Sequence, residues 1–134
     1  MEAGSGEMRD ALGELIGVEL LKPSDDVVRA RVPVSDRILQ PYGLVHGGVY
    51  PVVAEIVCSR ATHDAVIGEG KGALGQSNST TFLRPISEGH VNAAARARHR
   101  GRTSWVWQVE LTDDEGRLCA LTQVVVAVRE LPGR

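Results

Sequence analysis

The sequence predicts an α+β fold in which one antiparallel sheet curls around a single long helix, and three observations carry that prediction. Val49, Val52, Val53, Ile56, Val57, Ala61, Ala65 and Val66 form a broad apolar stripe at helical spacing, too wide to be covered from one side. Four extended runs then follow in unbroken succession to the end of the chain, which is the pattern of a sheet folded back on one helix. The length of 134 residues leaves room for one core, so residues 1–134 read as a single domain.

Ser5 to Ile16 reads as a short helix, with Met8, Leu12, Leu15 and Ile16 at helical spacing, Ser5 as N-cap and Gly17 as stop. Gly13 weakens it. Val18–Leu21 and Asp26–Val34 read as strands joined by a turn at Lys22-Pro23-Ser24-Asp25; Val28, Ala30 and Val32 alternate with Arg29 and Arg31, as on a half-buried surface. Ser35 to Gly43 is a loop. The long helix starts near Gly47 or Gly48 and runs to Ile67, with Pro51 tolerated in the first turn because its missing N–H has no intrahelical partner there. Gly68-Glu69-Gly70-Lys71-Gly72 ends it.

The remaining strands are Ala73–Leu83, Val91–Arg100, Thr103–Thr112 and Arg117–Arg129, with hairpin loops at Gly101-Arg102 and Asp113–Gly116. Val91, Ala93, Ala95 and Ala97 alternate with Asn92, Ala94, Arg96 and Arg98, and the small residues suit close approach to a helix. An antiparallel sheet wrapped on one long helix is the hotdog fold.

Fifteen basic against seventeen acidic residues give a net charge of −2, which disfavours a nucleic-acid binder held by bulk positive charge. No apolar run approaches the ~20 residues of a membrane span, and Met1–Arg9 lacks a signal-peptide core, so a cytoplasmic protein is expected. Two cysteines, Cys58 and Cys119, without C-x-x-C spacing, read as reduced and buried.

The densest cluster of unusual residues is Gln40-Pro41-Tyr42-Gly43-Leu44-Val45-His46-Gly47-Gly48, with Glu55 nine positions after His46. A helix N-terminus presents unpaired N–H groups and partial positive charge, so the Gly47 N–H is suited to polarising a carbonyl. Glu55 is the only charged residue in Val52–Val57, where burial is expected; a carboxylate desolvated there would be a stronger base. Eight residues separate Gly47 from Glu55, about 12 Å along a helix, whereas a base and an oxyanion donor must both reach one reacting group. Two antiparallel copies of the helix would solve this, which predicts a two-fold dimer.

Gln40 to Glu55, with its H-G-G-x₆-E pattern, resembles the hotdog acyl-CoA thioesterases that carry a catalytic Glu on the central helix, and most of all the 4-hydroxybenzoyl-CoA type. The resemblance spans roughly Asp10 to Arg129 and includes Gly75-Gln76-Ser77-Asn78 and Phe82–Val91. It implies hydrolysis of an acyl-CoA, aromatic by preference, with no metal or other cofactor, in a homodimer or homotetramer with active sites between subunits. Glu55 would attack the thioester or activate water, and these roles stay open. Gly47 N–H would polarise the carbonyl, His46 and Gln40 would orient it or the leaving thiolate, and Ser59 would bind water. Arg84, Arg102, Thr103 and Ser104 would meet the coenzyme A phosphates. A non-catalytic acyl-CoA binder or sensor on the same fold is the alternative from another class.

Four other features read as follows. Arg96, Arg98, Arg100 and Arg102 form either a solvated face or a phosphate sink, with alternate residues on one side of a strand. Trp105 and Trp107 share a face and belong to a core or interface. His63, His90 and His99 lack metal-ligand spacing and read as structural. Cys58 beside a carboxylate is a poor nucleophile, because such a thiol resists ionisation.

Overall fold

A computed structural model describes residues 9–132. Helix α1 spans Ala11–Ile16, shorter than the sequence predicts: Asp10 caps it, its Oδ1 accepting the Gly13 N–H at 3.0 Å, while Ser5 and Met8 lie outside the described residues. Gly17 ends it in the left-handed region, as expected. The first strand shrinks to β1, Glu19–Leu20, and β2 is Val28–Pro33. The turn between them closes at Ser24–Val27, with Asp25 and Asp26 both at positive φ, so it falls later than the expected Lys22–Asp25. Asp tolerates that conformation, and two such residues match the twist of a hairpin.

The central helix α2, Val49–Val66, is N-capped at Gly48 and carries Pro51 in its first turn. Its buried side is Val49, Tyr50, Val53, Ala54, Val57, Cys58, Thr62 and Val66; Val52, Ile56 and Ala61 are half-buried and Ala65 is exposed. The predicted stripe is therefore rotated, because the sheet covers the Ala54–Cys58–Thr62 side that the sequence reading left out. A 3₁₀ turn over Ile67–Glu69 and Gly70 in the left-handed region end the helix. Strand β3 begins at once, so Lys71 and Gly72 belong to it rather than to a linker.

Strands β3 (Lys71–Phe82), β4 (His90–Arg100), β5 (Ser104–Thr112) and β6 (Leu118–Glu130) agree with the expected runs to within two residues at each end. One six-stranded antiparallel sheet results, in the order β1-β2-β4-β5-β6-β3. Its concave face packs on α2 through Ala93 and Ala95 of β4, Trp107, Val109 and Leu111 of β5, and Ala120, Val124 and Val126 of β6. The β4 alanines let the helix come close. Trp107 Nε1 donates to Thr62 Oγ1 at 2.9 Å, and Thr62 Oγ1 donates to the Cys58 carbonyl, so this polar tie across the core is satisfied on both sides.

Trp105 and Trp107 share a face, their ring centroids 5.9 Å apart. The arginines do not. A bulge between Ala97 and His99 breaks the alternation: Arg96 pairs with exposed Gln108, whereas Arg100 lies over the Trp105 ring on the helix side. Strand β3 forms one edge of the sheet, paired on one side only, and Leu74 and Phe82 along it are exposed.

Candidate active site

The Gln40–Gly48 segment is pinned at both flanks to buried residues. His46 N–H donates to the Ile38 carbonyl and Val45 N–H to the Ile86 carbonyl, each at 2.7 Å. Between them Gln40 N–H donates to the Leu44 carbonyl at 2.8 Å, and Gly43 takes φ +83°, which closes the loop tightly. Gln40 Oε1 accepts the Tyr42 N–H, so its amide NH₂ is left as a donor.

His46 Nδ1 accepts the Gly48 N–H at 3.2 Å. The neutral ring then carries its proton on Nε2 and presents a second donor. The Gly47 N–H has no hydrogen-bond partner among the described residues. Thus the helix entrance leaves free the N–H that the sequence singles out, and it sits at the positive end of an 18-residue dipole.

Glu55 departs from expectation in one respect. It is exposed, not buried, because it lies at the margin of α2 beside the edge strand β3, where the sheet stops short of covering it. Its carboxylate joins no ion pair among the described residues and rests instead against β3: a Cβ on Gly75 would stand 2.8 Å from Glu55 Oε2. Ser59, one turn on, lines the same cleft of about 640 Å³, together with Leu12, Leu20, Val52 and His63. Cys58 is fully buried, and burial pushes its thiol well up, with the Glu55 charge adding to the effect.

Gln40, Gly47 and Arg84 open into a different cleft, of about 340 Å³, walled by Tyr50, Phe82 and Cys119. Tyr50 and Phe82 stack edge-on there at 6.0 Å, and the Phe82 ring covers Gly47. Neither aromatic was read as a site residue; Phe82 is the only phenylalanine in the chain and follows directly on the edge strand's polar run, which is the signal available. His46 lines a third, smaller hollow with Val49 and Val52. One chain therefore presents Glu55 with Ser59 in one cleft and Gly47 with Gln40 in another.

The coenzyme-binding candidates are divided as well. Arg84 N–H donates to the Cys119 carbonyl at the start of β6, whereas Ser104 pairs with Ala127 near its end. Eight strand residues separate those levels, about 27 Å. Arg102 and Thr103, exposed in the β4–β5 turn, lie at the Ser104 end, far from Arg84 within one chain.

Residues 42–120 match the family model described as the thioesterase superfamily. The chain belongs to that family. It is 33% identical to the 1,4-dihydroxy-2-naphthoyl-CoA hydrolase of Escherichia coli over 91% of this chain and 93% of that protein. It is 32% identical to the proofreading thioesterase EntH of Cronobacter turicensis, covering 96% and 93%. Among solved structures, a mutant thioesterase from Pseudomonas aeruginosa superposes with a TM-score of 0.86 at 34% identity, over 90% of this chain and 86% of that one. The fold is the hotdog fold, and the protein is a thioester hydrolase. No helix among the described residues is long and apolar enough to cross a membrane.

Proposed function

We propose that this thioesterase cleaves an aromatic acyl-CoA, of the 4-hydroxybenzoyl-CoA kind, to the free acid and coenzyme A, in a site built from two copies of the chain. The observation that carries the reading is the free Gly47 N–H at the start of α2, with Glu55 on the same helix but opening into a different cleft. A single chain offers each half of the machinery to a different space. Pairing two bare β3 edges antiparallel about a two-fold axis would lay the helices side by side in opposite directions. Gly47 of one copy then approaches Glu55 of the other. The same operation brings the Arg84 end of one copy toward the Arg102–Ser104 end of the other, which suits a ligand carrying phosphates at one end.

In this site the thioester oxygen accepts the Gly47 N–H, and charge developing on that oxygen is stabilised by the helix dipole. Gln40 and His46 supply further N–H donors around the carbonyl or the departing sulfur. Glu55 of the second copy either adds to the carbonyl carbon, expelling the thiolate and leaving an anhydride for water to open, or takes a proton from the water that attacks. Ser59 holds that water. No group beyond these side chains and water is required. The aromatic preference rests on the likeness to the 4-hydroxybenzoyl-CoA type and on a relative whose name specifies a naphthoyl thioester.

The test is thiol release from benzoyl-, hydroxybenzoyl-, dihydroxynaphthoyl-, phenylacetyl- and straight-chain acyl-CoAs, by wild type and Glu55→Ala. Aromatic thioesters should turn over fastest, and Glu55→Ala should lose several orders of magnitude in kcat while staying folded. Equal turnover of straight-chain and aromatic substrates would refute the substrate class; undiminished Glu55→Ala would refute the site.

A further inference from the structure

We propose that Gly75 is a positioning residue: its bare α-carbon is the seat that holds the Glu55 carboxylate at its working place beside α2. The inference rests on the reading of Glu55 as the reacting group. If a Cβ is placed on Gly75, its three nearest atoms all belong to Glu55, with Oε2 at 2.8 Å, Cδ at 3.0 Å and Cγ at 3.5 Å. Any other amino acid at this position must push the carboxylate away.

The φ of Gly75 does not call for glycine. The glycines that need left-handed φ are Gly17, Gly43, Gly70, Gly89 and Gly116, and Gly75 is not one of them. It sits inside strand β3, paired with Val126, where glycine gives up chain entropy and side-chain packing. A local rule broken without a φ requirement, at a residue whose Cβ would meet only Glu55, points to a requirement at the site. The register shifts immediately after it, between Gly75 and Ser77, leaving Gln76 as the extra residue of a bulge in the stretch of β3 that faces the helix.

Glu55 has no ion pair among the described residues to fix it, so the surface it rests on decides where its oxygens point. The atoms that a Cβ would meet are the far end of a flexible side chain. Gly75→Ala is thus expected to fold normally and to displace the carboxylate. Misplacement of a reacting group by about 1 Å costs on the order of 10²-fold in rate.

The experiment compares kcat, KM and Tm for wild type, Gly75→Ala, Glu55→Asp, the double variant, Glu55→Ala and Gly72→Ala, on the best thioester. Gly75→Ala should lower kcat by roughly 10- to 100-fold with KM and Tm nearly unchanged. Asp is one methylene shorter and clears the new methyl, so on the Glu55→Asp background the same substitution should cost much less. Gly72→Ala, on the same strand, would meet Leu131 rather than Glu55 and should keep wild-type kcat. Wild-type kcat in Gly75→Ala would overturn the proposal, as would an equal fold-loss on both backgrounds, which would mean that the methyl acts other than through the carboxylate. Wild-type activity in Glu55→Ala would instead bring down the reading of Glu55 itself, and Gly75 with it.

Discussion

His46 Nδ1 accepts the Gly48 N–H at 3.2 Å, and this short contact divides the labour at the entrance to α2. One orphan N–H is capped by the ring, the neighbouring Gly47 N–H stays free, and the ring proton is directed to Nε2. His46→Ala removes both the cap and the Nε2–H donor. Loss of the cap should lower unfolding free energy by about 1 kcal/mol. Loss of a donor near the developing oxyanion should lower kcat by about 10²-fold. Steady-state kinetics beside urea unfolding would separate the two, and a kcat within twofold of wild type would remove His46 from the chemistry.

Because Gln40 and Glu55 open into different clefts of one chain, a two-fold dimer makes a distinctive prediction for mixtures. Gln40→Ala and Glu55→Ala should each be nearly inactive alone. Unfolded together and refolded at equal concentration, half the dimers are mixed, and each mixed dimer regains one of its two sites. Activity should return to about one quarter of wild type. No recovery, with mixed dimers verified by mass, would place both residues in one site of one chain.

What the sequence made legible follows from how local each signal is. The α2 start, the Gly43 turn and the β4–β5 and β5–β6 hairpins are written in short-range residue choices, and they stand where expected. Glu55 stands out by its oddity among valines, yet its exposure does not, because hydrophobic spacing marks the apolar sides of a helix without saying where the edge of the sheet falls across them. The arginines of β4 were misplaced by one bulged residue, which reverses every face beyond it. Gly75 enters the sequence reading only as the first residue of the Gly75–Asn78 stretch within a strand. What it touches depends on the pairing of β3 with β6 and on the rotation of α2, both of which are long-range.

Among the described residues, Thr62 and Trp107 form the one buried polar link between helix and sheet, and their burial is nearly complete. Thr62→Val keeps the shape but strands the indole N–H without a partner. A buried unsatisfied donor costs about 1–3 kcal/mol. Urea unfolding should show a loss of that size with the slope unchanged, while kcat stays at the wild-type value well below Tm, since Thr62 is sealed in the core two turns, about 10 Å, along α2 from Glu55.

Asp114 supplies a pH test of the opposite end of the sheet. Its carboxylate accepts the Asn92 Nδ2 at 2.9 Å and the His90 Nδ1 at 3.0 Å. The Asn92 bond and then the His90 bond hold the Asp114 carboxyl below its ordinary value of 3.8, against smaller opposing effects of burial and of Asp113. A carboxyl whose folded pKa lies below its unfolded one stabilises the protein above the unfolded value and loses that contribution as pH falls through the folded one. Asp114→Asn mimics the protonated side chain, so it should be less stable than wild type at pH 7, by less than about 1 kcal/mol because the site is half exposed. The gap should close as wild type is acidified below about pH 4, where its own carboxyl begins to protonate. Urea unfolding of both proteins between neutral and acid pH measures the gap; a difference that stays constant through that range would mean that the charge on Asp114 contributes nothing.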